Sequence, residues 1–169
     1  MRRIKNLLRG LVAGSLIFSI SPVELYAGSA STSLSVSATV ASSCTISTAA
    51  IDFGSYDPVV THAAANLDGT GTVTITCTKG AVTTVGLDLG ANAVLTTRRM
   101  AAGTERLTYE LYKDSGRTSV WGSSGGNLLD TGVAPSKAAR PFTVYGRVPS
   151  GQDISAGSYS DTVTATVNF

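Results

Sequence analysis

Apolar residues recur at every second position along most of this chain. From 34 to 46, Leu34, Val36, Ala38, Val40, Cys44 and Ile46 share one parity, and Ser35, Ser37, Thr39 and Ser43 share the other. A period of two is the mark of a strand with one buried face. The pattern returns at Val73, Ile75 and Cys77, at Val85, Leu87 and Leu89, at Leu107, Tyr109 and Leu111, and at Phe142, Val144 and Val148 with Gly146. It is clearest at the end, where Tyr159, Val163, Ala165, Val167 and Phe169 face one way and Ser160, Thr162, Thr164, Thr166 and Asn168 the other. Turn-forming clusters separate these runs: Asp68-Gly69, Lys79-Gly80, Ser115-Gly116, residues 123–127 and Pro149-Ser150-Gly151. Short strands with no helical stretch between them predict an all-β, antiparallel sandwich.

The first residues follow another rule. Arg2, Arg3, Lys5 and Arg9 precede an apolar core from Leu11 to Ile20, too short to span a bilayer comfortably, and small residues follow. Residues 1–27 therefore predict an export signal, cleaved after Ala27 or after Ala30, rather than an anchor. Pro22 and Glu24 interrupt any longer apolar run. The formal net charge of +2 belongs to this segment. Removing it takes away four of 13 basic and one of 11 acidic residues, leaving nine against ten and a net charge of −1. No nucleic-acid partner is expected of such a chain.

At 169 residues the chain has room for one domain. With 43% apolar and 14% charged residues it is not a disordered chain. Serine and threonine make up about a quarter of it, which suits strands. Export places Cys44 and Cys77 where disulfides persist, and two cysteines make one bridge. The alternatives are a reactive thiol pair or a metal site, but the spacing is far from CxxC and His62 is the single histidine. Closing such a loop stabilises by about 3–4 kcal/mol in the chain-entropy model.

Chemistry has little raw material. His62 lies in an alanine-rich, loop-like stretch with no nucleophile elbow anywhere, and reads as a solvated loop residue. Ser123-Ser124-Gly125-Gly126 lacks the Gly-Lys-Ser/Thr of a phosphate loop and reads as a flexible hairpin tip. Arg98-Arg99 reads as a solvated basic turn rather than a sugar or surface contact. Trp121 and Tyr112 would suit sugar stacking, yet read better as sandwich aromatics. No enzyme, cofactor, metal or small-molecule substrate is expected.

Two features stand apart. The last run reaches Phe169 with no polar tail, and residues 31–42 carry no charge at all although their alternation would place them on a sheet edge. Open edges pair with other chains unless blunted. Such a strand is either an internal edge or one meant for another molecule, and composition by itself tilts towards the first.

The run Arg140-Pro141-Phe142-Thr143-Val144-Tyr145-Gly146-Arg147-Val148-Pro149-Ser150-Gly151-Gln152 is followed by Ala156-Gly157-Ser158-Tyr159-Ser160-Asp161-Thr162-Val163. Upstream lie Ile51-Asp52-Phe53-Gly54-Ser55-Tyr56, Val73 to Cys77, and Leu107-Thr108-Tyr109-Glu110-Leu111-Tyr112 with Trp121-Gly122. In this order and spacing they resemble the spore coat U family, which includes pilin subunits of archaic chaperone–usher fimbriae. The resemblance covers essentially the whole chain after the signal.

The resemblance implies an immunoglobulin-like sandwich, residues 43–169, lacking its final strand, behind a donor-strand extension, residues 28–42. A periplasmic chaperone first fills the open groove. At the outer-membrane usher, the extension of an identical or related subunit replaces it. Carried onto this chain, Leu34, Val36, Ala38 and Val40 are the donor residues. Val163, Ala165, Val167 and Phe169 form the groove edge and chaperone contact, the Phe169 carboxylate facing the chaperone's basic residues. The expected function is a structural subunit of a surface fimbria, exported through the periplasm and serving adhesion and biofilm formation. A spore-coat or surface-layer protein, or a secreted carbohydrate-binding module, are the alternatives. A neighbouring chaperone and usher would favour the first, and exposed aromatics around Trp121 on a closed sandwich the last.

Overall fold

The computed structural model describes residues 26–169. The export signal expected over residues 1–27 falls almost wholly outside the described residues. Contacts divide the chain into a segment ending at Ala38 and a compact body from Thr39 to Phe169. Residues 26–43 form neither helix nor strand.

The body holds strands β1 (Cys44–Ala49), β2 (Leu67–Cys77), β3 (Val82–Leu87), β4 (Arg99–Ala102), β5 (Glu105–Thr108), β6 (Glu110–Tyr112), β7 (Leu129–Val133), β8 (Arg140–Val148) and β9 (Ala165–Asn168). One 3-10 turn spans Gly125–Asn127. All strand pairs are antiparallel. One sheet runs β1-β2-β8-β6, a second β7-β3-β9, and β4-β5 form a separate ribbon. The architecture is all-β, as the alternation predicts, with open sheets.

The core follows parity. Val73, Ile75 and Cys77 of β2, Val85 and Leu87 of β3, and Val144 and Val148 of β8 are buried, and Leu107, Tyr109, Leu111 and Trp121 join them. Trp121 is fully buried and donates its indole N–H to the Val85 carbonyl at 2.9 Å. A buried indole needs such a partner, and the placement is that of a sandwich aromatic.

Several expectations are corrected. The strand expected over 34–46 begins only at Cys44. Its partner β2 ends opposite, at Cys77, before the Lys79-Gly80 turn, so the pairing stops at Ser43, whose carbonyl accepts the Thr78 N–H at 2.8 Å. The run Leu107–Leu111 is broken at Tyr109: β5 pairs with β4, whereas β6 pairs with β8. β4 shows no alternation and β7 has only Leu129 and Val133 as apolar positions, so the sequence pattern predicts neither. Residues 123–126 lead into the exposed 3-10 turn rather than a hairpin tip.

His62 is buried, not solvated. Its Nδ1 accepts the Asp57 backbone N–H at 2.9 Å, and its ring stacks on Tyr56 with centroids 5.0 Å apart. Arg98 is likewise fully buried rather than in a solvated turn. Its guanidinium donates to the carbonyls of Leu87 (3.1 Å), Asp88 (2.7 Å) and Trp121 (2.8 Å), and it pairs with Glu110. Five donors in a fixed fork let arginine collect several orphan carbonyls at once.

Candidate strand-acceptor groove

Beyond Ala49 the chain leaves β1 and lays Ile51 and Phe53 over glycines of the larger sheet. A Cβ on Gly71 would meet Ile51 Cγ1 at 2.6 Å, and one on Gly146 would meet Phe53 Cζ at 2.6 Å. These glycines lower the sheet surface so that two bulky side chains fit on it. Asp52 Oδ1 accepts the Gly54 N–H at 2.9 Å, and Gly54, at φ +75°, turns the chain away. Residues 49–56 form one wall of a groove.

The other wall is residues 154–165, leading into β9. Between the walls lie two hollows of about 510 and 380 Å³. Ile51, Phe53, Met100 and Tyr159 line both, so the hollows adjoin. Core residues Val73, Leu87, Tyr109, Leu111 and Val144 floor the smaller, and Leu107 and Val148 reach the larger. An open channel onto the core leaves Ile51, Phe53, Met100, Tyr159 and Val163 half-buried.

Along this channel runs an unpaired edge. β9 pairs only with β3, and the residues before it continue the line. The carbonyls of Ser160, Thr162 and Thr164 accept from Ala101 (2.8 Å), Ala91 (3.0 Å) and Asp88 (3.0 Å). Successive main-chain groups of a strand point to opposite sides, so those of Asp161, Val163 and Ala165 point to the groove. β1 is the edge of the other sheet. The Cys44–Cys77 disulfide, between residues directly opposite in register, fastens it to β2.

A polar cluster crosses the channel wall. Asp161 shares the inward parity of Tyr159 and Val163. Its Oδ2 accepts the Tyr109 hydroxyl at 2.7 Å, and its Oδ1 accepts Asn92 N–H and Nδ2, each at 3.0 Å. Burial, then the Asp161 carboxylate, pushes the Tyr109 phenol well above its ordinary pKa. At Asp88 burial opposes ionisation, but the N–H groups of Thr164 and Gly90 and the nearby Arg98 outweigh it. The Asp88 carboxyl stays below the usual range. At the far end Tyr56 Oη donates to the Pro149 carbonyl and accepts the Gln152 N–H, each at 3.0 Å.

Of the residues expected at the groove edge, Val163 and Ala165 line the smaller hollow. Val167 packs against the core outside both hollows, and Phe169 is 60% exposed beyond β9. The groove lies upstream of the expected edge, at 154–165. Sequence reading missed Ile51, Phe53 and Asp161, although Asp161 sits on the inward parity of the last run. Leu34, Val36 and Val40 are 87%, 86% and 82% exposed, and Ala38 is exposed too. Trp121 is buried and Tyr112 half-buried, which leaves no exposed aromatic platform at those two residues. Among the described residues no three of His, Cys, Asp and Glu are placed to hold a metal.

The site is thus a groove in an open β-sandwich, running beside an edge strand that pairs on one side only. The chain belongs to the Spore Coat Protein U domain family, whose model matches residues 30–166. It is 38% identical over 186 aligned positions to Protein U of Myxococcus xanthus, covering all of both chains. Its fold is similar to that of a chain in the crystal structure of the CsuC-CsuE chaperone-tip adhesion subunit pre-assembly complex from archaic chaperone-usher Csu pili of Acinetobacter baumannii. That match has a TM-score of 0.56 at 24% identity, and covers 78% of this chain and 41% of that one.

Proposed function

We propose that this chain is a structural, non-enzymatic subunit of a surface fimbria, joined to its neighbours by donor-strand exchange. The observation that carries this reading is the channel beside the β9 edge, open onto the core, in a chain that also bears an uncharged, exposed, alternating segment. Leu34, Val36, Ala38 and Val40 of one copy fill the groove of the next. Residues 34–40, as strand, span about 20 Å, the same reach as residues 159–165 of the groove edge. Main-chain hydrogen bonds to the edge supply affinity, and alternate side chains entering the core supply fit.

Burying Leu34, Val36 and Val40 stabilises by about 1.5–3 kcal/mol each before ordering costs, and Ala38 by less. The contact is head-to-tail and does not close, so repetition gives a filament. A periplasmic chaperone fits the groove before assembly, and an outer-membrane usher fits the exchange step. Family membership and the chaperone complex formed by the Csu protein support this route. Export through the periplasm to the cell surface, with a role in adhesion and biofilm formation, follows from it. Val167 and Phe169 then continue the chaperone-facing edge beyond the groove.

The family's description favours one second reading, a coat protein in which the same joint links subunits into a layer. Electron microscopy of assembled material separates thin fibres from sheets.

The test is to express residues 43–169 with and without residues 31–42 fused after Phe169 through a flexible linker. A monomeric product whose melting temperature rises by more than about 10 °C supports the reading. A truncated domain already stable alone, with no gain from the fusion, overturns it.

A further inference from the structure

We infer that Asp161 fixes the register of the joint by admitting only a small donor residue at the middle of the groove, so that Ala38 of a neighbouring copy lies opposite it. The inference rests on the donor-strand reading and adds the residue that makes the groove selective. Four inward positions of the edge line the hollows: Tyr159, Asp161, Val163 and Ala165. Three are apolar and one is a carboxylate. That carboxylate is braced by the Tyr109 hydroxyl and by the Asn92 amide and side chain. It also packs against Gly90, at φ +86°, where any Cβ would collide with it. The space at this step is therefore already filled by polar atoms with fixed partners.

The donor also has four inward positions, and one of them, Ala38, is much the smallest. Directly opposed residues of an antiparallel pair share a face. Laid antiparallel with all four steps matched, Leu34 meets Ala165, Val36 meets Val163, Ala38 meets Asp161 and Val40 meets Tyr159. Large faces small at one end and small faces large at the other. A methyl group covers the carboxylate without disturbing its three donors. The parallel arrangement sets Val36 on the carboxylate and Ala38 against Val163, overfilling one step and underfilling the next. A slip of two residues either way also places a valine on Asp161. Covering a carboxyl group with a branched apolar side chain costs free energy with no compensating hydrogen bond, and overfilling adds to it. An inward charge on an exposed edge is also a known guard against indiscriminate strand pairing. Here it refuses apolar segments that lack a small residue at the right step.

The experiment uses the full chain with its disulfide intact and labelled synthetic peptides of residues 31–42. The Ala38→Leu peptide is expected to bind the unaltered chain roughly tenfold or more weakly than the parent peptide. The Asp161→Ala chain is expected to recover most of that loss. Equal binding of both peptides by the unaltered chain, or an undiminished loss in a folded Asp161→Ala chain, overturns the inference. A second arm leaves Asp161 in place. A Val36→Cys peptide should form a disulfide with a Val163→Cys chain and not with an Ala165→Cys chain. Bonding to the Ala165→Cys chain instead overturns the register while the donor-strand reading stands. Failure of every chain to bind the parent peptide sinks that reading, and the inference with it.

Discussion

Arg98 shows how much one side chain carries when it is sealed inside a sandwich. Replacing it by methionine strips the Leu87, Asp88 and Trp121 carbonyls of a shared donor and leaves Glu110 without its partner. Each buried acceptor left unsatisfied costs about 1–3 kcal/mol, and Arg98→Met strips several at once, so its urea midpoint should fall steeply. A solvated arginine would shift stability by under about 0.5 kcal/mol. Titration is also decided residue by residue. The hydrogen bond from Arg147 to Asp68, aided by the charges of Arg117 and Arg147, holds the Asp68 carboxyl below its usual range. A depressed folded-state pKa gives stability that is fully present above the unfolded value, near 3.9, and is lost as pH falls through the folded one. Asp68→Asn should therefore flatten the loss of stability measured below about pH 4. Neither buried residue, Arg98 nor His62, was legible in the sequence. Their partners come from segments 10 to 23 positions away for Arg98, and from a turn closing on itself for His62. Composition alone makes a polar residue in a loop look wet.

Strands were legible where burial is one-sided. β2, β8 and the approach to β9 alternate because one face meets the core and the other meets water, and that contrast is local. β4 escaped because all four of its residues are half-buried, and β7 because its alternating apolar positions are only Leu129 and Val133, with Thr131 between them. The alternation at residues 34–40 has no such cause in the single chain, where both parities are exposed and no strand forms. The groove wall at Ile51 and Phe53 was not legible, because it depends on glycines that β2 and β8 bring together. Gly146→Ala would drive a methyl into Phe53. A loss of about 1–3 kcal/mol is expected, the usual cost of overfilling a packed site, together with weaker capture of the peptide spanning residues 31–42. β1 depends on its bridge as well as on its ladder. Reducing Cys44–Cys77 should lower stability by about 3–4 kcal/mol in the chain-entropy account for a loop of this length. Thermal unfolding with and without reductant reads the change.

At the scale of the whole molecule, the compact body and the segment before it are expected to respond separately to mutation. Val36→Asp places a charge on a residue that is 86% exposed in the single chain, so the melting temperature of the body should not change. Assembly should fail, because the same charge would have to enter a core. Size-exclusion chromatography of the full chain against concentration measures this, and assembly at the parent's concentrations would count against the donor role. The disulfide has a mechanical meaning here as well. A pull on residues 26–43, transmitted along a fibre, enters the sandwich at Cys44. There the bridge hands the load directly to Cys77 and so to β2, which is held by strands on both sides. Without that cross-link the load would unzip β1, an edge strand, one hydrogen bond at a time. With it, a load entering at Cys44 passes into β2 before it reaches the β1 ladder, and the edge strand that leads into the groove wall stays in place.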